Sequence, residues 1–192
     1  MTSKIRKRKD ITPEYLRNAT YRYLERYASS EENLRRVLRE KVKRRLRLED
    51  GSGDLTTEHE GWIDEVVQYC RKHALINDEL YAASKARSFV RSGNSRSKII
   101  QKLLSKGISR SLVDKVLSEL STEMQDSELF AAVGYVRRRR FGAFAVKPCN
   151  EDKREKEMAS MARAGFSYEL SRQVLDKDRE ELEDILFGAV TP

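Results

Sequence analysis

The sequence predicts an all-α protein built of three tandem three-helix repeats. Three observations carry this. Apolar residues recur at spacings of three and four through most of the 192 residues, which is the period of one helix face. Three prolines and nine glycines are too few for a turn-rich β domain. A helix-stop, helix-start pattern occurs twice at matching places in a longer internal repeat.

The first helix is predicted over residues 14–27, with Tyr15, Leu16, Ala19, Tyr23, Leu24 and Tyr27 on one face. Pro13 stands where a first-turn proline is tolerated. Ser29 and Glu32 have the spacing of a capping box for a second helix, whose apolar stripe is Leu34, Val37, Leu38, Val42 and Leu46. A polar, glycine-containing loop at 49–54 ends it. The third helix, about 58–74, turns Trp62, Ile63, Val66, Val67 and Cys70 inward.

The internal repeat then begins. Glu79-Leu80-Tyr81-Ala82-Ala83 recurs 49 residues later as Glu128-Leu129-Phe130-Ala131-Ala132. Gly107-Ile108-Ser109 with Leu112, Val116 and Leu117 recurs 58 residues later as Gly165-Phe166-Ser167 with Leu170, Val174 and Leu175. The nine-residue difference matches extra chain around 142–150. In both copies glycine stops one helix and serine caps the next. The predicted organisation is a basic arm (1–12), repeats at 13–75, 76–121 and 125–180, and a C-terminal tail (181–192).

Charge sharpens this reading. The chain has 39 Lys+Arg against 31 Asp+Glu, net +8, and a mean hydropathy of −0.72. Much surface and little deep core suits an elongated repeat array. Residues 1–50 hold 16 basic and 8 acidic side chains, and residues 77–121 hold 9 and 4. Such polarity calls for an anionic partner. The arm Lys4-Ile5-Arg6-Lys7-Arg8-Lys9 is expected to be disordered and to strengthen nucleic-acid binding without sequence preference.

No enzyme class is supported. There is no glycine-rich phosphate loop, and His59 and His73 lack a metal-site pattern. Neither catalytic residue, metal nor cofactor is expected. Cys70 reads as a small buried hydrophobe, and Cys149 as a loop residue. No apolar run reaches the roughly 18–20 residues that span a bilayer, and no secretory signal is visible, so a cytoplasmic monomer away from membranes is expected.

The candidate contact residues are cationic. Lys98, Lys102 and Lys106 follow an i, i+4, i+8 stripe opposite Ile99, Ile100, Leu103 and Leu104. Arg87 and Arg91 repeat the spacing one helix earlier, and Arg96 and Arg110 extend the patch. Arg137-Arg138-Arg139-Arg140 would spread over about 300° of a helix, so either the helix ends there or Arg140 snorkels. Clustered guanidinium groups repel one another and suit phosphate or carboxylate binding. The aromatics Tyr15, Tyr23, Phe89 and Tyr135 have core spacing rather than that of a base-stacking platform.

The stretch from Leu75-Ile76-Asn77-Asp78-Glu79-Leu80-Tyr81-Ala82 through Phe89-Val90-Arg91-Ser92-Gly93 to Lys98–Ile108 resembles the RecX family, bacterial regulators of the RecA recombinase. The likeness extends upstream to Trp62–His73 and downstream to Arg139-Arg140-Phe141-Gly142 and Ala164-Gly165-Phe166, covering about 13–180. Two departures stand out: Ser95-Arg96 replaces the usual Gly-Pro, and Lys102 replaces a glutamate. The resemblance implies tandem three-helix repeats in an elongated, curved arrangement. It also implies a non-catalytic modulator that binds along the RecA–DNA filament and inhibits filament extension, ATP hydrolysis and strand exchange. Single- or double-stranded DNA is a further expected partner through the basic patches. The competing reading is a stand-alone helical DNA-binding or transcription-regulating protein, since Lys98–Leu117 has a helix–turn–helix outline.

Overall fold

The computed structural model describes residues 10–49, 51, 53–123, 126–146 and 151–188. The expected basic arm falls outside them except for residues 10–12, as does Cys149. The described residues are helical, with one short 3₁₀ turn at Gly142–Phe144 and no strand. The α-helices are α1 (Pro13–Leu24), α2 (Glu31–Glu49), α3 (Thr57–Lys72), α4 (Asp78–Arg91), α5 (Arg96–Leu104), α6 (Arg110–Glu123), α7 (Ser127–Arg139), α8 (Glu151–Ala164), α9 (Tyr168–Asp176) and α10 (Arg179–Gly188). The fold class is therefore all-α. The tail expected from residue 181 is instead helix α10, because Leu182 and Leu186 carry a helical apolar stripe that is buried.

The chain divides into two compact units, Met1–Tyr81 and Ala82–Pro192, with the boundary inside α4. In the first unit α1, α2 and α3 pack on one another. Leu16, Leu34, Leu38, Val42, Ile63, Val67 and Cys70 form its core. In the second, α5 packs on α6, while α7 packs on α9 and α10 and α8 packs on α9.

Helix ends recur with one geometry. At α3, α4, α5, α7 and α8 the chain turns through a left-handed residue, respectively Ala74, Gly93, Gly107, Arg140 and Gly165. The next N–H returns to a carbonyl five residues back, as in Phe141 to Val136 (2.9 Å), Ile108 to Leu103 (3.2 Å) and Phe166 to Met161 (3.1 Å). This closes the carbonyls left open at a helix terminus. The glycine stops are legible in sequence; Ala74 and Arg140 accept the same backbone without glycine's freedom.

Serines open the helices. Ser95 and Ser167 cap α5 and α9, accepting the N–H of Lys98 (3.3 Å) and Leu170 (3.2 Å), and Ser109 accepts that of Leu112 (3.3 Å). At α2 the cap is Ser30, which accepts the N–H of Asn33 (3.2 Å). The expected capping box from Ser29 is one residue out of phase, and Ser29 Oγ instead accepts from the Asn33 amide (2.8 Å). An acidic residue from a later helix completes two of these starts. Asp78, in the first turn of α4, accepts the N–H of Glu31 (2.8 Å). Glu128, in the first turn of α7, accepts the N–H of Arg96 (2.9 Å). Each carboxylate meets the positive end of a helix dipole.

Candidate functional site

The C-terminal turn of α4 and the last turn of α7 meet in the second unit. Gly93 adopts φ +66°, and a Cβ there would stand 2.6 Å from the backbone nitrogen of Tyr135. Only a residue without a side chain lets the two backbones approach this closely. The approach places the arginine run of α7 beside the α4–α5 turn. Arg138 Nη1 donates to the carbonyl of Ser92. Its guanidinium and that of Arg139 lie 5.5 and 5.7 Å from the Tyr135 ring centroid.

Lys102 completes the group from α5. Its Nζ donates to Asn94 Oδ1 at 2.6 Å and sits 4.6 Å from the Phe89 ring centroid. Burial lowers the pKa of this ammonium, and the charges of Lys98 and Arg138 lower it further. Three cations, Lys98 and Lys102 from α5 and Arg138 from α7, are thus brought near one turn. Such a concentration costs stability within the fold and is relieved by an external anion.

The other sequence candidates are placed as follows. Lys98 is exposed and bonds Gln101 (3.4 Å). Lys106 leaves the helical line, since α5 ends at Leu104 and the turn at Gly107 redirects the chain. Ile99 and Leu103 are buried as expected, whereas Leu104 is partly exposed. Arg96 uses its backbone N–H on Glu128, and Arg110 Nε pairs with Asp114 at 2.9 Å. Arg87 is half-buried on α4, and Arg91 lies exposed in that helix's last turn. Arg137, Arg138 and Arg139 are exposed in the last turn of α7. Of the two outcomes the arginine run allows, the helix end is the one found: α7 ends at Arg139, and Arg140 takes the left-handed stop position.

The sequence patterns above single out no contact residue in the described part of the first unit, where Lys41 and Arg45 lie over the Tyr15 ring and the charges of Arg22 and Arg44 act on Lys41. The available signal was the i, i+3, i+4 spacing of Lys41, Arg44 and Arg45 on a long helix. His59 and His73 serve helix ends. His59 shares a capping box with Thr56, and His73 caps α3 against Tyr69. Among the described residues no group of three His, Cys, Asp or Glu side chains is placed to hold a metal ion. None of their helices is long and apolar enough to cross a membrane.

The features described so far define a protein that is all-helical over its described residues and carries clusters of cationic side chains. Residues 77–117 match the family model described as RecX, second three-helix domain. The chain is 35% identical over 169 residues to the regulatory protein RecX of Myxococcus xanthus, a match covering 88% of each chain. It is 37% identical over 114 residues to that of Agrobacterium fabrum, covering 59% of each. The crystal structure of RecX from Lactobacillus salivarius superposes with a TM-score of 0.56 at 22% identity, over 89% of this chain and 96% of that one. The chain belongs to the RecX family of regulatory proteins.

Proposed function

We propose that this chain is a non-enzymatic modulator that binds the RecA–DNA filament and inhibits ATP hydrolysis, filament extension and strand exchange. The observation that carries the reading is the continuous likeness to the Myxococcus regulatory protein over 88% of both chains. The convergence of Lys98, Lys102 and Arg138 supports it physically, because the partly buried Lys102 ammonium, held near two further cations, gains from an anionic partner. In this reading Lys98, Lys102 and Arg138 make the first contacts with filament phosphates or acidic recombinase surface. Arg87, Arg91, Arg96, Lys106, Arg110, Arg137, Arg139 and Arg140 extend them. The protein acts in the cytoplasm as a monomer, with repeats at 13–75, 76–121 and 125–180.

The test is the single-stranded-DNA-dependent ATPase rate of the cognate recombinase, titrated with this protein while DNA is in large excess. Inhibition at substoichiometric protein is expected, which sequestration of DNA cannot produce. Full activity at equimolar protein overturns the reading and favours a DNA-binding regulator, recognisable by about 10³-fold or greater preference for one site.

A further inference from the structure

Helix α2 sorts its cations by face. On the side toward α3, Arg35 Nε lies 2.9 Å from Asp64 Oδ1, and Arg39 Nε lies 2.9 Å from Glu60 Oε2. Lys43 pairs with Glu40 within the helix at 3.5 Å. Toward α1 the arrangement is different. Among the described residues, Arg22, Lys41 and Arg44 have no carboxylate at ion-pair distance. Lys41 Nζ lies 5.9 Å and Arg45 Cζ 5.8 Å from the centroid of the Tyr15 ring.

Lys41 also lies where two concavities meet. One, of about 440 Å³, is lined by Thr12, Tyr15, Asn18, Arg22 and Lys41, with Asp10 and Glu14 also on its wall. The other, of about 520 Å³, runs along α2 past Arg36, Lys41, Arg44 and Arg47, with Glu40, the partner of Lys43, also on its wall. Burial lowers the pKa of the Lys41 ammonium, and Arg44 and Arg22 lower it further. A half-buried ammonium beside two guanidinium groups, with no described carboxylate at ion-pair distance although Asp10, Glu14 and Glu40 line the same concavities, gains from a further anion.

We propose that Arg22, Lys41 and Arg44 form a phosphate-binding site for the DNA backbone, separate from the Lys98, Lys102 and Arg138 group. The observations favour a nucleic-acid backbone over an acidic protein segment. Lys41, Arg44 and Arg45 advance along one face of α2 by about 1.5 Å per residue, so their charges form a row that a chain of regularly spaced phosphates can follow. The stretch 1–50 is strongly basic as a whole, which suits sequence-independent attraction to a polyanion. The donors on the wall, Asn18 and Thr12, are neutral and serve non-bridging oxygens equally well. This inference does not depend on the filament reading, since it concerns DNA alone.

The experiment is a fluorescence-anisotropy titration of a labelled oligothymidylate, and of a duplex of the same length, with the full chain and no recombinase. Lys41→Gln/Arg44→Gln is compared with Lys43→Gln, which removes a charge from the paired side of the same helix. Helical content and Tm of each variant confirm that it is folded. For the single strand, losing two phosphate contacts is expected to reduce the slope of log affinity against log salt by about 1.4 and to weaken binding about tenfold at 0.15 M salt. A parallel loss on the duplex places the site on any phosphate backbone; a loss on one probe alone assigns it to that form. Affinity and slope equal to those of Lys43→Gln on both probes overturn the proposal. So does unchanged DNA binding together with weakened capture of recombinase protein by the same variant in a separate pull-down, which would assign the site to an acidic protein surface.

Discussion

Glu128 receives the backbone N–H of Arg96 at 2.9 Å and so closes the N-terminus of α5 from the first turn of α7. Asp78 does the same for α2, from the first turn of α4. In both cases the acidic residue lies more than 30 positions downstream of the residue whose N–H it accepts. Each carboxylate satisfies an N–H that a helix start leaves open while opposing the dipole.

The Glu128 contact carries a pH signature. Burial pushes its carboxyl above the ordinary value of 4.5, against the pull of the Arg96 N–H and charge. A carboxyl raised by folding favours the folded state below its unfolded value and loses that contribution as pH rises through the folded value. Glu128→Gln keeps an oxygen for the N–H and removes the charge. It is expected to match or exceed the parent's stability at pH 7, with the advantage vanishing below about pH 4.5. Thermal melts of both proteins across that range decide it. An advantage that grows on acidification contradicts the assignment.

Lys102 is expected to trade stability for binding. Its ammonium is destabilised by burial and by Lys98 and Arg138. The cost is present below its lowered folded value and fades as pH approaches 10.5. Lys102→Gln is expected to hold or raise Tm at pH 7 while weakening recombinase inhibition. A lower Tm together with unchanged inhibition would assign Lys102 to the Asn94 and Phe89 packing alone.

The helix stops separate backbone strain from side-chain function. Ala74 stands at φ +53° and Arg140 at φ +57°, where a Cβ costs about 1 kcal/mol. Ala74→Gly and Arg140→Gly are each expected to stabilise the fold by about 0.5–1 kcal/mol. Gly93→Ala is expected to act in the opposite sense, by about 2 kcal/mol or more, because its Cβ would press on the Tyr135 backbone. Denaturant titrations of the three variants measure all of these effects.

Glu157 is expected to be structural. It is 2% exposed; Oε2 accepts the N–H of Gly142 at 3.1 Å, and Lys153 Nζ lies 4.0 Å from Oε1. Glu157→Ala leaves that N–H without its acceptor and opens a gap under the 3₁₀ turn, for a loss of about 2–4 kcal/mol. Glu157→Gln keeps the acceptor and is expected to recover more than half of it. Equal loss in both would mean that the charge, rather than the hydrogen bond to Gly142, holds the turn.

The likeness to the family was legible where it rests on local chemistry. Gly107, Gly165, Ser109 and Ser167 announce helix stops and starts because a left-handed turn and a side-chain cap each need one residue type at one place. Ser95-Arg96, a departure from the family pattern, acquires its reason from the fold. Ser95 is fully buried, caps α5 and donates to the Ala164 carbonyl at 2.6 Å, a bond the family's usual glycine would lack. The arginine run leaves two outcomes open in the sequence, a helix end or an escaping side chain, and the backbone conformation decides between them. The stop at Arg140 needs Phe141 to return its N–H to Val136.

By itself the sequence determined the all-helical class, most of the buried faces and the family likeness, because apolar period and caps act within a few residues of the chain. Tyr27, expected on the first helix's apolar face, lies past the end of α1 and is exposed. The tertiary structure decided which cations share a neighbourhood. It brought Arg138 to Lys102 through the close approach at Gly93, paired Arg39 of α2 with Glu60 of α3, and left Lys41 beside Arg22 and Arg44. Charge interactions depend on distance in space and on burial, and neither is fixed by separation along the chain.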